Sequence, residues 1–134
     1  MSAIVVTAAQ VAINQGTLTR SYIAAETITA GQAVYKLAAG TVGVADANAS
    51  GKQQYRGIAI NGGAVGTPIM VAYFGPVEGF TLTGNVDTLV YLSDTAGGLD
   101  TSAGSMTVPV GRVDMRDDGT KFLFTDVNWL AQWA

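Results

Sequence analysis

The sequence predicts a single small all-β domain, built as an antiparallel β-barrel or sandwich. Of its 134 residues 49% are apolar and only 13% are charged, so the long charged side chains that cover surface helices are scarce. Glycine occurs 17 times, which is typical of short strands joined by tight turns. Apolar runs recur at short spacing, and none has the 3.6-residue periodicity of a long helix. We divide the chain into an N-terminal arm or first strand (1–16), a β domain (17–127) and a C-terminal tail (128–134).

The first half of the chain supplies six of the predicted strands. Residues 3–6 are a continuous apolar run, and residues 17–23 alternate between two faces. The next two strands flank Ala38-Ala39-Gly40, a short connection with the glycine that a hairpin favours. The following two flank the glycine-rich loop 61–67. These last four strands are predicted at 33–37, 41–46, 55–60 and 68–74.

The second half supplies four more strands, at 79–84, 88–93, 106–115 and 121–127. The last two are joined by residues 116–120, where Asp118-Gly119 between apolar runs is a strong hairpin signal. Pro109 lies inside its run and has no N–H to donate, which predicts an edge strand or a bulge there.

Charge and residue usage exclude several function classes. The net charge is −3, and the seven Lys and Arg residues are scattered, whereas nucleic-acid binding relies on clustered cations. No direct nucleic-acid partner is therefore predicted. Histidine and cysteine are absent, so the chain has no Ser-His-Asp triad, no thiolate nucleophile and no His or Cys metal ligand. The uncharged stretch 57–77 is long enough to span a membrane, but its central glycine-rich turn favours two buried strands, and no membrane segment is predicted.

The segment 90–102 contains two acidic residues near a Gly-Gly pair. Neither Asp94-Thr95 nor Asp100-Thr101 is followed by the glycine of an aspartic-protease site. We interpret the segment as a turn, in which Asp94 accepts backbone N–H bonds as an Asx-turn and Gly97 or Gly98 supplies a positive φ. The protein is therefore not predicted to be an enzyme, and a small hydrolase is retained only through this loop.

No cofactor is predicted. The glycines of 62–66 lack the Lys-Ser or Lys-Thr of a phosphate-binding loop. Asp46, Asn48 and Ser50 alternate like the first half of a calcium loop, but Gly57 stands where the bidentate carboxylate is required. A weak surface calcium site at these three residues is left open.

The two ends of the chain are the predicted contact segments. Both tryptophans lie in the last few residues, and tryptophan is enriched at interface hot spots. The N-terminal arm is apolar and nearly uncharged, which suits the addition of a strand to another chain. An alternative is that the tail packs on its own core. The predicted partner or oligomer contacts are Ile4, Val5, Val6, Val11, Ile13, Trp129, Leu130 and Trp133.

Several phrases in order, ETITAGQAVYK, VGVADANAS, YRGIAINGGAVGTPIMVAYFGPV, VYLSDTAGGL and VPVGRVD, make the chain resemble the head decoration (capsid cement) proteins of tailed bacteriophages. The resemblance covers roughly residues 27–114. It implies a β-rich virion protein on the outer surface of the phage head, made in the host cytoplasm, which binds the major capsid protein and stabilises contacts between its copies. It also implies a homo-oligomer, a trimer or alternatively a dimer.

The competing function is a carbohydrate-binding β module of a phage or secreted protein. Tyrosine rings stack on sugars, and the sequence offers five. They lie in strand phrases, where packing in the sheet is the simpler explanation: Tyr22, Tyr35, Tyr55, Tyr73 and Tyr91.

Overall fold

A computed structural model describes residues 3–130 and 133, and it confirms the all-β prediction: a curled antiparallel sheet forms a half-barrel. The described residues contain no α-helix and one short 3-10 turn, Ala8–Gln10. The strands are β1 (Val5–Val6), β2 (Ala12–Ile13), β3 (Leu18–Ile23), β4 (Ala33–Lys36), β5 (Val42–Val44), β6 (Tyr55–Ala59), β7 (Pro68–Glu78), β8 (Phe80–Thr81), β9 (Leu89–Leu92), β10 (Leu99–Asp100), β11 (Pro109–Met115) and β12 (Lys121–Asp126).

The main sheet has the order β10-β9-β11-β12-β7-β6-β4-β5, with all pairs antiparallel. Strand β7 is its longest member and its organising centre. One edge of β7 pairs with β6 and then β12, and the other edge pairs with β3 and then β2. The sheet therefore divides along β7 into a β4–β5–β6 half and a β9–β11–β12 half.

Backbone hydrogen bonds join the two ends of the curled sheet. The N–H of Gly97, in the β9–β10 turn, donates to the carbonyl of Ala45 at 2.7 Å, and the N–H of Ala33 donates to Gly97 at 3.0 Å. Gly97 has φ 75° and is buried, and a Cβ there would lie 2.7 Å from Cγ1 of Val44. A glycine is required at this position because both the conformation and the space exclude a side chain.

The sheet has apolar residues on both faces. Inside the curl lies the larger core, which includes Tyr55, Ile58, Val77, Leu92, Val113 and Leu123. A second, smaller core lies on the outer face of the β4–β5–β6 half, and it includes Val34, Val42, Ala59, Ile69 and Val71.

Residues 24–32, the covering segment, close this second core. Ile28 is 2% exposed, and its N–H and carbonyl both pair with Gly63, at 2.9 and 2.8 Å. The N–H of Gly31 donates to the carbonyl of Ala59 at 2.7 Å. These bonds hold the segment flat on the sheet, so that Ala24 and Ile28 complete the apolar layer.

Most predicted strands and both predicted hairpins are confirmed. The N–H of Leu37 bonds Thr41 across the first hairpin, and the N–H of Arg116 bonds Thr120 across the second. At Pro109 the prediction of a bulge is confirmed by a register shift between Pro109 and Gly111. The alternative of an edge strand is wrong, because β11 lies between β9 and β12 and Pro109 is only its first residue.

Strands β7 and β8 differ most in length from expectation. Strand β7 continues to Glu78 through Pro76, whereas β8 covers only Phe80–Thr81. Pro76 is tolerated because one edge of β7 faces the 14–17 turn there, and the hydroxyl of Thr17 donates to the Pro76 carbonyl at 2.7 Å. Within the described part of the chain no helix has the length and hydropathy needed to cross a membrane.

Candidate functional site

The N-terminal arm lies along the domain as two short strands. Val5–Val6 pairs with β8, and Ala12–Ile13 pairs with the end of β7. The N–H of Ile4 donates to the carbonyl of Leu99 at 3.0 Å. Of the predicted contacts in this arm, Ile4 and Val11 pack against the larger core.

The remaining three predicted contacts of the arm, Val5, Val6 and Ile13, are 63%, 36% and 40% exposed. The arm thus attaches to its own domain through one set of side chains and presents the other set outward. Residues 1 and 2 of the predicted arm lie outside the described residues.

The C-terminal tail likewise has some side chains that pack on the domain and others that are exposed. Trp133 packs against the larger core, and its carbonyl accepts hydrogen bonds from the side chains of Gln53 and Gln54. Trp129 is 41% exposed, in edge-to-face contact with Tyr73, and the Arg56 guanidinium lies 5.2 Å from its ring centre. Leu130 is 97% exposed. Residues 131, 132 and 134 of the predicted tail lie outside the described part of the chain.

In the 90–102 segment both carboxylates bond the protein's own backbone. Asp94 accepts the N–H and the hydroxyl of Ser105, at 2.7 and 2.8 Å, and Asp100 accepts the N–H of Ser102 at 3.0 Å. Asp94 thus accepts a backbone N–H and Gly97 supplies a positive φ of 75°, as predicted, but the predicted Asx-turn at Asp94 is wrong. The hydroxyl of Ser93 accepts the Thr95 N–H at 2.8 Å instead, and Asp94 is left to hold the next loop.

At the calcium candidate, Oδ1 of Asp46 accepts the N–H of Asn48 at 2.8 Å, which is an Asx-turn. Over residues 3–130 and 133, no group of three or more His, Cys, Asp or Glu side chains is arranged to hold a metal ion.

The five tyrosines considered for stacking on sugars are half-buried or fully buried. Tyr55 is fully buried, and its hydroxyl lies 2.6 Å from Oγ1 of Thr125, which in turn donates to the Val110 carbonyl. Burial raises the pKa of Tyr55 far above its usual value, outweighing the Thr125 hydrogen bond that lowers this pKa. The other four are half-buried, and two have ring partners: Tyr73 contacts Trp129, and the Lys36 ammonium lies 4.9 Å from the Tyr22 ring centre.

The outer face of the β9–β11–β12 half carries a row of side chains that the sequence reasoning missed. Arg112 is directly opposite Leu89 on one side and Phe124 on the other. Residues opposite each other on neighbouring strands point to the same face. The flanking Val113 is buried in the larger core, so the row of Leu89, Arg112 and Phe124 faces outward.

This row forms part of the outer groove, a cavity of about 490 Å³ open to solvent. Both apolar and polar residues line it. Its lining includes Asp87, Leu89, Pro109, Arg112, Asp114, Phe124, Asp126, Asn128 and Trp133.

Hydrogen bonds hold Arg112, the one Lys or Arg among the described residues that line the outer groove. Nη1 of Arg112 donates to the carbonyl of Asp87 at 2.7 Å, and the Asp87 N–H donates to Val113 at 2.7 Å. Asp87 makes these two bonds with φ 72°, a conformation that costs energy for any residue but glycine. Phe124 is half-buried and packs edge-to-face on Phe74, with ring centres 5.2 Å apart.

Short-range sequence signals do not predict this groove. Asp87 lies between two predicted strands, Arg112 lies within the predicted strand 106–115, and Trp133 lies in the tail. The alternation of Arg112, Asp114 and Phe124 with buried residues marks an outward face, but it does not indicate which outward residues meet.

Comparisons with protein-family models, with curated proteins and with solved structures found no match to this chain.

Proposed function

We propose that this protein is a structural component of a virion, which binds the outside of an assembled phage head and stabilises contacts between major capsid proteins. The observation that carries the proposal is the exposure of apolar side chains on both terminal segments, above all Val5 at 63% and Leu130 at 97%. The resemblance of residues 27–114 to capsid cement proteins gives the class of partner.

The energetics favour a protein that works by burying surface. Burial of one exposed Val or Leu side chain stabilises a contact by about 1.5–3 kcal/mol. The few charged residues, 13% of the chain, lower the desolvation cost of such a contact. Self-association as a trimer or a dimer would multiply these small gains, because several copies then bind one head together. The proposal assigns no catalytic residue, no cofactor and no direct nucleic-acid contact.

The test is co-sedimentation of the purified protein with heads of the phage that carries its gene, prepared without this protein. Leu130→Ser and Val5→Ser remove exposed apolar surface without touching the core. We expect each to weaken head binding by roughly tenfold or more, since 1.4 kcal/mol corresponds to a factor of ten. Light scattering on a sizing column would report the oligomeric state of the same samples.

The matched control is Val65→Ser, because Val65 is 68% exposed but lies in the 61–67 loop, outside both terminal segments. Failure of the wild-type protein to bind heads would contradict the proposal, as would equal losses in the control and the terminal variants. Truncation after Asp126 is a poorer test, since it removes the buried Val127 together with the tail.

A further inference from the structure

Three unusual features of the described residues lie at the outer groove: two are backbone conformations and one is a buried nitrogen without a hydrogen bond. Asp87, with φ 72°, and Asn128, with φ 52°, are the two non-glycine residues with positive φ among them, and both line it. Nε1 of Trp133, also in the lining, is the one buried side-chain nitrogen or oxygen without a hydrogen-bond partner among the described residues. Strained backbone and unsatisfied buried donors are concentrated at binding sites.

The polar groups of the groove are both donors and acceptors. Arg112 donates one N–H to the Asp87 carbonyl and has others left for a ligand, whereas the indole nitrogen of Trp133 is itself buried and reports on the groove without contacting solvent. Oδ1 of Asp114 accepts the Met115 N–H, and Oδ1 of Asp126 accepts the Asn128 N–H, so that each carboxylate keeps its second oxygen for a ligand. Phe124 adds an aromatic surface between them.

We propose that the outer groove is a binding site for a neutral saccharide. A sugar ring has one apolar face of C–H groups, which suits the ring of Phe124, and a rim of hydroxyls. Each hydroxyl donates and accepts, so the same ligand can bond the carboxylates of Asp114 and Asp126 and the guanidinium of Arg112. The volume of about 490 Å³ lies within the range of about 300–1,000 Å³ that small-ligand sites occupy.

Charge distinguishes a neutral ligand from an anionic ligand and from a cationic one. The lining contains three acidic residues, Asp87, Asp114 and Asp126, and one arginine, and this balance disfavours an anionic ligand. A basic peptide would place its cation beside the fixed charge of Arg112. A neutral polyol is repelled neither by the acidic residues nor by Arg112. The saccharide proposal can fail independently of the capsid proposal, because the groove lining contains neither Val5 nor Leu130.

The experiment follows the two tryptophan indole N–H signals of the full-length, ¹⁵N-labelled protein by NMR, with the signals assigned through Trp129→Phe. The neutral probes are D-glucose, D-galactose, D-mannose, L-rhamnose and N-acetyl-D-glucosamine. D-glucuronate is the anionic probe, and an acetylated and amidated Gly-Lys-Gly peptide is the cationic one. We expect at least one neutral sugar to shift the Trp133 signal in a saturable way, and both charged probes to shift it less.

Arg112→Ala should weaken that binding by roughly tenfold or more, because it removes the charged hydrogen-bond donor of the groove. Arg20→Ala, which removes an exposed arginine on β3 outside the groove, should leave it unchanged. Phe124→Leu is a second variant that keeps apolar volume but removes the aromatic face, and it should also weaken binding. The amide spectrum reports in each case whether the variant is folded.

Three results would overturn the proposal. One is that none of the five neutral sugars shifts the Trp133 signal. Another is that the Gly-Lys-Gly peptide shifts it more than any sugar, which would identify a basic partner instead. The third is equal sugar affinity in the wild type, Arg112→Ala and Phe124→Leu, which would place the sugar elsewhere.

Discussion

The two halves of the outer face of the sheet differ in whether anything covers them. On the β4–β5–β6 half the covering segment, residues 24–32, buries Ile28 over Ile69 and Val71. On the β9–β11–β12 half the equivalent layer is missing from the described residues, and Arg112 and Phe124 line an open groove. The same sheet therefore supports a core on one half and a candidate binding surface on the other.

In each half, the pattern of apolar side chains along the strands agrees with whether the outer face is covered. Strand β7 begins with the apolar run PIMVA, in which Ile69 and Val71 face the outer core and Ala72 faces the inner one. Strand β11 instead alternates Arg112 and Asp114 with the buried Val113. A strand that is buried on both faces needs apolar residues at consecutive positions, whereas a strand with one solvated face needs them at every second position.

The largest expected effect is on the covered half. Ile28→Ala should lower the free energy of unfolding by about 2–5 kcal/mol, because it leaves a cavity between the covering segment and the sheet. Urea denaturation followed by far-UV circular dichroism would measure this change. Val65→Ala, at a residue 68% exposed, is the control and should stay within about 0.5 kcal/mol of the wild type. A cost at Ile28 no larger than that of the control would mean that the segment contributes little to stability.

A smaller effect is expected where the two halves meet across the inner core. The Tyr55 hydroxyl on β6 contacts Thr125 on β12, at 2.6 Å. Tyr55→Phe should cost about 1 kcal/mol at neutral pH, since Thr125 retains its bond to the Val110 carbonyl. Coincident loss of circular dichroism and tryptophan fluorescence would indicate that the covered and open halves unfold together.

The difference in unfolding free energy between Tyr55→Phe and the wild type should also depend on pH. Burial raises the pKa of Tyr55, so the folded state keeps its proton at a pH where the unfolded chain, with a pKa of about 10, loses it. The stability of the wild type should therefore fall above pH 10 by about 1.4 kcal/mol per pH unit through this residue. Tyr55→Phe lacks this contribution, so its disadvantage at pH 8 should vanish or reverse near pH 11. A constant difference in unfolding free energy at both pH values would contradict the burial argument.

The smallest effect is expected on the open half. Arg112→Ala should change the free energy of unfolding by no more than about 0.5 kcal/mol, because the side chain is exposed and buries no core. Calorimetric thermal unfolding of this variant and of Ile28→Ala would compare the loss of stability in the two halves directly. A loss at Arg112 comparable with that at Ile28 would show that its bond to the Asp87 carbonyl holds the fold, and the contrast between the halves would then fail.

The terminal segments show the limit of composition as a guide. The apolar residues of the tail were predicted to contact a partner, with packing on their own core as the alternative. Trp133 packs on the core, whereas Leu130, three residues before it, is 97% exposed. Both residues are apolar and close in sequence, so composition does not separate them. The difference lies in tertiary contacts, since the side chains of Gln53 and Gln54 donate to the Trp133 carbonyl.

The sequence by itself determined the all-β class, most strand positions and both hairpins, because alternation, glycine and Asp-Gly act over a few neighbouring residues. Only the tertiary structure decided that Ser93 rather than Asp94 shapes the β9–β10 turn, and that Gly97 joins the two ends of the sheet. It also brought Asp87, Arg112 and Trp133 into one groove. These contacts depend on the register of strands that are far apart in the chain, and register is set by the packing of the whole sheet rather than by any local pattern.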